Sequence, residues 1–306
     1  MRNKPLLSIC IPTYNREKEL KKSIQSIIKE DIFNTNVIEL VISDNNSSDW
    51  TEKLCKTFSN YSNIKYNKNT KNLWFDKNIS TLIKLAKWNF LWFLSADEYI
   101  KKWALDFIIN IIKNNIDIAY IWVDKINNTN KLIYLKNWNT LIKEYWISWL
   151  WLISRNIFNR KYIPSNLEEY YWNLWIHVSI MFKAILNNSL ILTNKELLKV
   201  DNSWICHWAS WWKVFNTFIN LKKIIENNIK IWYDRNIIKN YLNKFVNDFP
   251  KTLISAKINW LRYSINNLKT IFIEFYKYPI ILILSIIIYI IPNNLFILIK
   301  KLTKWK

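Results

Sequence analysis

Glycine is absent from all 306 residues. Average usage of roughly 7% would place about 21 in a chain of this length, and without them no left-handed turn has its ordinary residue. Cysteine is scarce too. Cys10, Cys55 and Cys206 are far apart in sequence, with no paired metal-ligand spacing, which argues against a zinc ribbon or a disulfide framework and points to a reducing cytoplasm. The N-terminal residues show no cleavable signal pattern. Long apolar runs are also missing: Pro279 to Ile291 holds Ser285 and one Tyr among aliphatics and is short of the roughly 20 residues of a membrane span. Acidic residues are outnumbered, 23 Asp and Glu against 44 Lys and Arg, for a net charge of +21. Such a surface attracts polyanions, whether nucleic acid, anionic lipid head groups or a phosphorylated substrate. The heavy use of Lys, Asn and Ile also bears the imprint of an AT-rich genome, which weakens a functional reading of the lysines.

Where glycine is missing, tryptophan is abundant, with 19 residues. Trp50 follows Ser47-Ser48-Asp49, Trp74 sits in Asn72-Leu73-Trp74-Phe75-Asp76, Trp88 separates a helical pattern from an apolar strand, and Trp103 follows two lysines. Each is a turn or cap position, where a residue lacking Cβ takes φ > 0 without strain. The expectation is that most of these tryptophans are glycine codons, from a genome that reads UGA as glycine. The alternative is a chain rich in exposed indoles. Trp92 and Trp175, each beside apolar residues, are expected to be genuine.

The first 125 residues alternate short apolar runs with helical patterns, as in an α/β domain with a mostly parallel sheet flanked by helices. Leu6 to Ile11, Val37 to Ile42, Ile64 to Tyr66, Phe90 to Leu94 and Ile118 to Val123 read as strands. Between them lie helices: one capped by Asn15 with Leu20, Ile24, Ile27 and Ile28 on one face, then Trp50 to Phe58, Asp76 to Lys87 and Ala104 to Lys113. Further strands are expected at Leu132 to Leu135 and Leu150 to Ile153, and a helix from Trp175 to Leu186. From Val214 the pattern is helical. The expected organisation is a catalytic domain over 1–210, with a nucleotide-binding half (1–125) and an acceptor half (126–210), and a helical C-terminal region over 211–306 whose segment 279–299 associates with a membrane.

In such sheets ligands bind beyond the carboxyl ends of the strands. Three polar clusters stand there: Pro12-Thr13-Tyr14-Asn15-Arg16, then Ser43-Asp44-Asn45-Asn46-Ser47-Ser48-Asp49, then Ser95-Ala96-Asp97-Glu98. Carboxylates opposite a polar turn suit a nucleotide and a divalent ion, because Mg²⁺ and Mn²⁺ favour one or two carboxylates completed by diphosphate oxygens and water. Asp97 is the candidate metal ligand, with Glu98 beside it; the alternative for Asp97 is a helix cap. Asp44 either accepts a base N–H or makes a plain Asx turn.

Four ordered blocks, Leu7 to Arg16, Val41 to Thr51, Asn72 to Asn78 and Ala86 to Glu98, resemble the family 2 glycosyltransferases of GT-A fold. Arg155 to Arg160 and Trp175-Ile176-His177 look like the branch that contains abequosyltransferase and related cell-surface polysaccharide enzymes. The family usually has glycine at Trp50, Trp74 and Trp88. By this resemblance Pro12, Thr13, Tyr14 and Arg16 line the nucleotide pocket, Asp44 contacts the base with Asn46 nearby, Asp76 and Asn78 lie near the donor, and Asp97 coordinates Mg²⁺ or Mn²⁺. Ser95 stands where the family's acidic motif often has Asp, and Glu98 where it has Asp. The implied reaction moves a sugar from a nucleoside-diphosphate sugar to a saccharide, including a lipid-linked one, at the inner face of the cell membrane. Glu168, Glu169 and His177 are candidate bases for an inverting displacement.

Three rivals remain at this level. One is a non-catalytic nucleotide-sugar-binding protein at the membrane surface, suggested by Ser95 and the undecided base. Another is a nucleotidyltransferase, which would normally carry a Gly-rich phosphate loop where Pro12 to Arg16 stand. A nucleic-acid binder is not expected, since its aromatic content vanishes if the tryptophans are glycines.

Overall fold

A computed structural model describes residues 6–145, 152–171, 174–200, 218–227, 234–258 and 264–295. The chain divides into two compact units, Met1–Asn202 and Ser203–Lys306.

The first unit is built on β1 (Leu7–Thr13), β2 (Ile38–Asp44), β3 (Ile64–Lys68), β4 (Phe90–Phe93), β6 (Tyr120–Trp122), β7 (Ile133–Leu135), β8 (Asn156–Asn159) and β9 (Leu190–Leu192). They form one sheet in the order β3-β2-β1-β4-β8-β6-β9-β7. The four strands from β3 to β4 run parallel, and β8 enters antiparallel between β4 and β6. A two-stranded ribbon pairs β5 (Glu98–Ile100) with β10 (Leu198–Val200). The strands β2 and β4 are buried along their whole length and β1 at every residue but Pro12, which is why apolar residues dominate them. Each large aliphatic so buried contributes roughly 1.5–3 kcal/mol. The thiols share this interior: burial pushes Cys55 up to about 12 and Cys10 higher still, so neither is a ready nucleophile. Cys206 lies outside the described residues.

Helices α1 (Glu17–Ile28), α2 (Thr51–Lys56), α3 (Trp74–Leu85), α4 (Ala104–Asn114), α5 (Trp138–Tyr145) and α6 (Ile176–Ala184) complete the unit. Leu20, Ile24 and Ile27 of α1 and Ile79, Leu82 and Ile83 of α3 are buried, as their spacing demands. Two polar devices hold the amino edge of the sheet. Glu39 of β2 is buried, accepting from Ser8 Oγ (2.7 Å) and Lys87 N (2.6 Å) and facing Lys65 Nζ (2.9 Å). Arg160 donates to the carbonyls of Ile83 (3.0 Å), Ala86 (2.7 Å) and Trp88 (3.0 Å), closing the C-terminal end of α3 with a cation. Thus α3 starts at the carboxyl edge and ends at the amino edge.

Several expectations are corrected. Asn15 does not cap α1. The cap position is Arg16, and the amide of Glu17 instead donates to Asp49 Oδ2 from the β2–α2 loop (3.1 Å), while Asn15 sits at φ 51° and accepts from Ser48 N (2.8 Å). Of the strand expected at Leu150 to Ile153, residues 150–151 lie outside the described residues and Ile153–Arg155 is a 3-10 turn. The strand is Asn156–Asn159, disguised because both asparagine side chains donate to backbone carbonyls, Leu152 O (2.6 Å) and Ile118 O (3.0 Å). The sequence signals also missed the short strands β9 and β10.

The second unit is helical where described: residues 218–227, then Arg235–Asn247, Phe249–Ile258, Ile265–Phe275 and Pro279–Ile290. Phe218, Phe245, Phe249 and Phe275 form a chain of ring contacts within it. Pro279 opens its helix, where a missing N–H costs nothing. Among the described residues no helix is long and apolar enough to cross a membrane.

The tryptophans separate into kinds. Trp74 and Trp103 have φ of 64° and 74° and exposures of 58% and 46%, whereas Trp50 is exposed at an ordinary φ of −77° and Trp88 is absent from the left-handed set. Trp92 is fully buried and its Nε1 donates to Ser154 O (2.8 Å). A bulky residue in the left-handed region costs about 1–2 kcal/mol. Trp103→Gly is therefore expected to stabilise the protein by about 1 kcal/mol, and Trp92→Ala to destabilise it by about 3–5 kcal/mol, both read from urea unfolding midpoints.

Candidate active site

Parallel pairing brings the ends of β1, β2 and β4 to one edge, with Thr13 opposite Asp44 and Cys10 opposite Phe93. Antiparallel β8 begins at that same edge, since Trp92 faces Ile157 and Trp122 faces Asn156. Arg155, just before β8, and Asp124, just after β6, therefore join the three loops. The carboxyl-end rule that found Asp97 also selects Asp124, but Arg155 is at the amino end of its strand and only the antiparallel pairing reveals it.

Asp97 is buried and joins distant parts of the chain. Its Oδ2 lies 3.4 Å from Arg16 Nη1, 81 residues away, and its Oδ1 accepts from the Ser95 hydroxyl. The backbone of Ser95 is in turn fixed by Ser154 Oγ (2.7 Å). The helix-cap alternative for Asp97 fails, because the residues that follow form β5 and α4 begins at Ala104. Glu98 opens β5 and faces Arg155 Nη1 (3.3 Å), while Arg155 Nε donates to Asp124 Oδ2 (2.8 Å). Burial pushes the Glu98 carboxyl up, and Arg155 opposes that shift.

Asp44 is fully buried with both oxygens engaged. Oδ1 accepts from Ser47 N (2.8 Å) and Ser47 Oγ (2.6 Å), the geometry of an Asx turn, and Oδ2 accepts from Tyr66 OH (2.8 Å). That turn leaves Asn46 exposed at φ 68°. Asn45 accepts from Leu73 N (2.8 Å) and so holds the loop ahead of α3. Of the β1 exit, Thr13 is buried with its hydroxyl without a hydrogen-bond partner among the described residues, Pro12 is partly covered, and Tyr14 is 47% exposed.

Other candidates are engaged elsewhere in the fold. Asn78 accepts from Ser43 Oγ (2.6 Å) and Asn69 (2.9 Å) and donates to Ser43 O (3.0 Å), inside the domain. The buried Asp76 accepts from Leu174 N (2.9 Å) and Ile176 N (3.3 Å). Glu168 and Glu169 are exposed on a 3-10 turn, and Glu169 engages Tyr170. His177 is buried in α6 with the rings of Trp175 (5.7 Å) and Phe75 (6.1 Å) against it.

Among the described residues no group of three or more His, Cys, Asp or Glu could hold a metal ion. The acidic edge offers hard carboxylate oxygens on Asp97, matching the sparse protein ligation that Mg²⁺ accepts when diphosphate and water complete its shell.

Residues 8–187 match the family model described as glycosyl transferase family 2. The chain belongs to that family. It is 36% identical over 115 residues to the abequosyltransferase RfbV of Salmonella typhimurium, a match covering 37% of this chain and 34% of that protein. It is 26% identical over 328 residues, 98% of this chain and 97% of the relative, to a GalNAc(5)-diNAcBac-PP-undecaprenol beta-1,3-glucosyltransferase of Campylobacter jejuni. The fold is also that of the mannosyltransferase PcManGT from Pyrobaculum calidifontis, solved with GDP-Man and Mn²⁺: TM-score 0.58 at 11% identity, covering 99% of this chain and 88% of that one. The first unit is thus a GT-A glycosyltransferase domain, and this family 2 chain is a glycosyltransferase.

The Arg155 ion pairs give a test of site integrity. Removing one partner of a buried pair typically costs about 3–5 kcal/mol. Arg155→Met is expected to destabilise the protein by about 3 kcal/mol at pH 7.5. Glu98 is raised in the folded state, so the strain of its unpaired charge is present above its folded pKa and relieved as pH falls through it. The deficit should therefore shrink toward pH 5, and denaturant melts at the two pH values check it.

Proposed function

We propose that this glycosyltransferase moves a sugar from a nucleoside-diphosphate sugar to a lipid-linked saccharide during cell-surface polysaccharide biosynthesis, with inversion and with Mg²⁺ or Mn²⁺ bound. The observation that carries the reading is the Arg16–Asp97–Ser95 cluster at the carboxyl edge, beside the Asp44 turn and the buried Arg155 pairs. The relatives support the substrate class: the Campylobacter enzyme's name specifies an undecaprenol-diphosphate saccharide, and the mannosyltransferase was solved with GDP-Man and Mn²⁺.

Asp97 would hold the cation, with Ser95 orienting its carboxylate. The ion would act as a Lewis acid toward the leaving diphosphate. Arg16 places a guanidinium beside that carboxylate, where it can neutralise diphosphate oxygens. Glu98 is committed to Arg155 and serves the site by holding that arginine rather than by binding metal. Asp44, with Asn46 and the exit Pro12, Thr13 and Tyr14, frames the nucleotide. The base must reach an acceptor hydroxyl from the face opposite the leaving group. Glu168 and Glu169 are exposed and open to an acceptor, whereas His177 is enclosed by Phe75 and Trp175. A nucleotidyltransferase reading finds no phosphate-cradling glycine loop after β1.

The second unit supplies the place of work. Ile280, Ile283, Leu284, Ile287 and Ile290 are 44–73% exposed on one helix, and Phe272 and Ile273 are 58% and 65% exposed on the preceding one. The opposite face is internal, with Ser285 and Tyr289 buried and Tyr289 OH bonded to Ser264 N (2.7 Å). Apolar exposure on this scale, beside the exposed Lys269 and Lys277, fits a helix lying in an anionic membrane interface and not a span. The cytoplasmic leaflet is the anionic surface that such a face would meet. We further propose that the left-handed Trp74 and Trp103 are UGA codons whose natural residue is glycine. UGG at both positions of the gene would exclude this.

Three outcomes are expected. A thermal-shift screen of nucleotide sugars with Mn²⁺ should return a stabilising donor, and turnover of it excludes a purely binding role. Asp97→Ala should reduce transfer at least about 100-fold, the scale of losing one preorganised charge contact, with unchanged circular dichroism. Ile280→Glu with Ile287→Glu should abolish sedimentation with vesicles of mixed phosphatidylcholine and phosphatidylglycerol, while donor binding is retained.

A further inference from the structure

Helix α6 has no cap of its own: Trp175 occupies the cap position, its side chain accepts no backbone N–H, and Leu174 before it is left-handed at φ 64°. The missing acceptor comes from far away in sequence. Asp76, in the first turn of α3 and 2% exposed, accepts from Leu174 N through Oδ2 (2.9 Å) and from Ile176 N through Oδ1 (3.3 Å), across 98 and 100 residues. A carboxylate at a helix N-terminus satisfies orphan donors and complements the dipole. Its neighbours reinforce the link. Phe75 lies edge-on to His177 at 6.1 Å, Lys77 Nζ is 5.5 Å from the Tyr171 ring centre, and Ser80 Oγ accepts from Tyr171 OH (3.0 Å). Two residues further along α3 from Asp76, Asn78 is fixed to Ser43, beside Asp44 at the end of β2.

We propose that Asp76 is a positioning residue: it caps α6 and thereby locks the segment carrying Glu168, Glu169 and His177 against the helix that borders the nucleotide edge. It does not touch the donor. The first turn of α3 is then the joint that sets the distance between the acceptor-activating segment and the sugar donor. This rests on the transferase reading above, but its first test needs no turnover.

Amide hydrogen exchange on the full chain decides the cap. In Asp76→Ala, exchange at Leu174 and Ile176 should rise at least ten-fold while amides of β1 and β2 stay unchanged; in Asp76→Asn, whose amide oxygen still accepts, the rise should be under three-fold. Equal protection in all three proteins would overturn the proposal. Binding of UDP and of GDP with Mn²⁺, by calorimetry, separates the two roles for the residue. Whichever nucleotide binds the parent protein should bind Asp76→Ala within two-fold, whereas a ten-fold loss would return Asp76 to the donor pocket and overturn the proposal. With a turned-over donor, Asp76→Ala should lower kcat at least ten-fold at unchanged donor KM, with Asp76→Asn recovering most of it; a raised donor KM at unchanged kcat would count against it. If neither nucleotide binds the parent, UDP- and GDP-sugars are excluded as donors while the exchange result still judges the cap.

Discussion

Parallel pairing of strands buried on both faces is the constraint on which the site depends. Backbone groups in β1, β2 and β4 have no water to bond, so their ladder must be complete and in register. With Thr13 opposite Asp44 and Cys10 opposite Phe93, the chain can leave the sheet only at a shared edge. The polar residues follow from that geometry. Arg16 and Asp97 meet across 81 residues because their strands are neighbours, and insertion of β8 in the opposite sense delivers Arg155 to the same place.

Three carboxylates at this edge face two arginines. Arg155 answers both Glu98 and Asp124, and Arg16 answers Asp97. A buried carboxylate is tolerable only when paired or hydrogen-bonded, and the raised Glu98 shows burial prevailing over its partner. A diphosphate bound at this edge would meet cations that are already oriented, so little reorganisation would accompany binding. Several polar residues hold the frame instead. Asp44 makes a turn, Asn78 pins α3 to β2, and Asp76 caps α6. The same residue types at the same edge thus differ in where their hydrogen bonds go.

The parallel half was legible because its signals are local. Apolar runs mark β1, β2 and β4, and helical spacing marks α1 and α3. The half after residue 125 was harder: β8 is four residues with asparagine at both ends, and its polarity is satisfied by carbonyls more than 40 residues distant in the case of Asn159. Asn15 misled for the same reason. Its sequence position suits a cap, but Asp49 from another loop takes the amide of Glu17. The tryptophan turn argument was right in kind for Trp74 and Trp103, whose backbones are left-handed, and not for Trp50.

Composition, periodicity and motif order by themselves determined the α/β class, the parallel start, the edge on which Asp44 and Asp97 lie and the family resemblance, because each is written in neighbouring residues. Tertiary structure alone decided where the hydrogen bonds of these polar side chains go. That depends on partners as much as 100 residues away, brought within hydrogen-bond reach only when the strands pair and the helices pack.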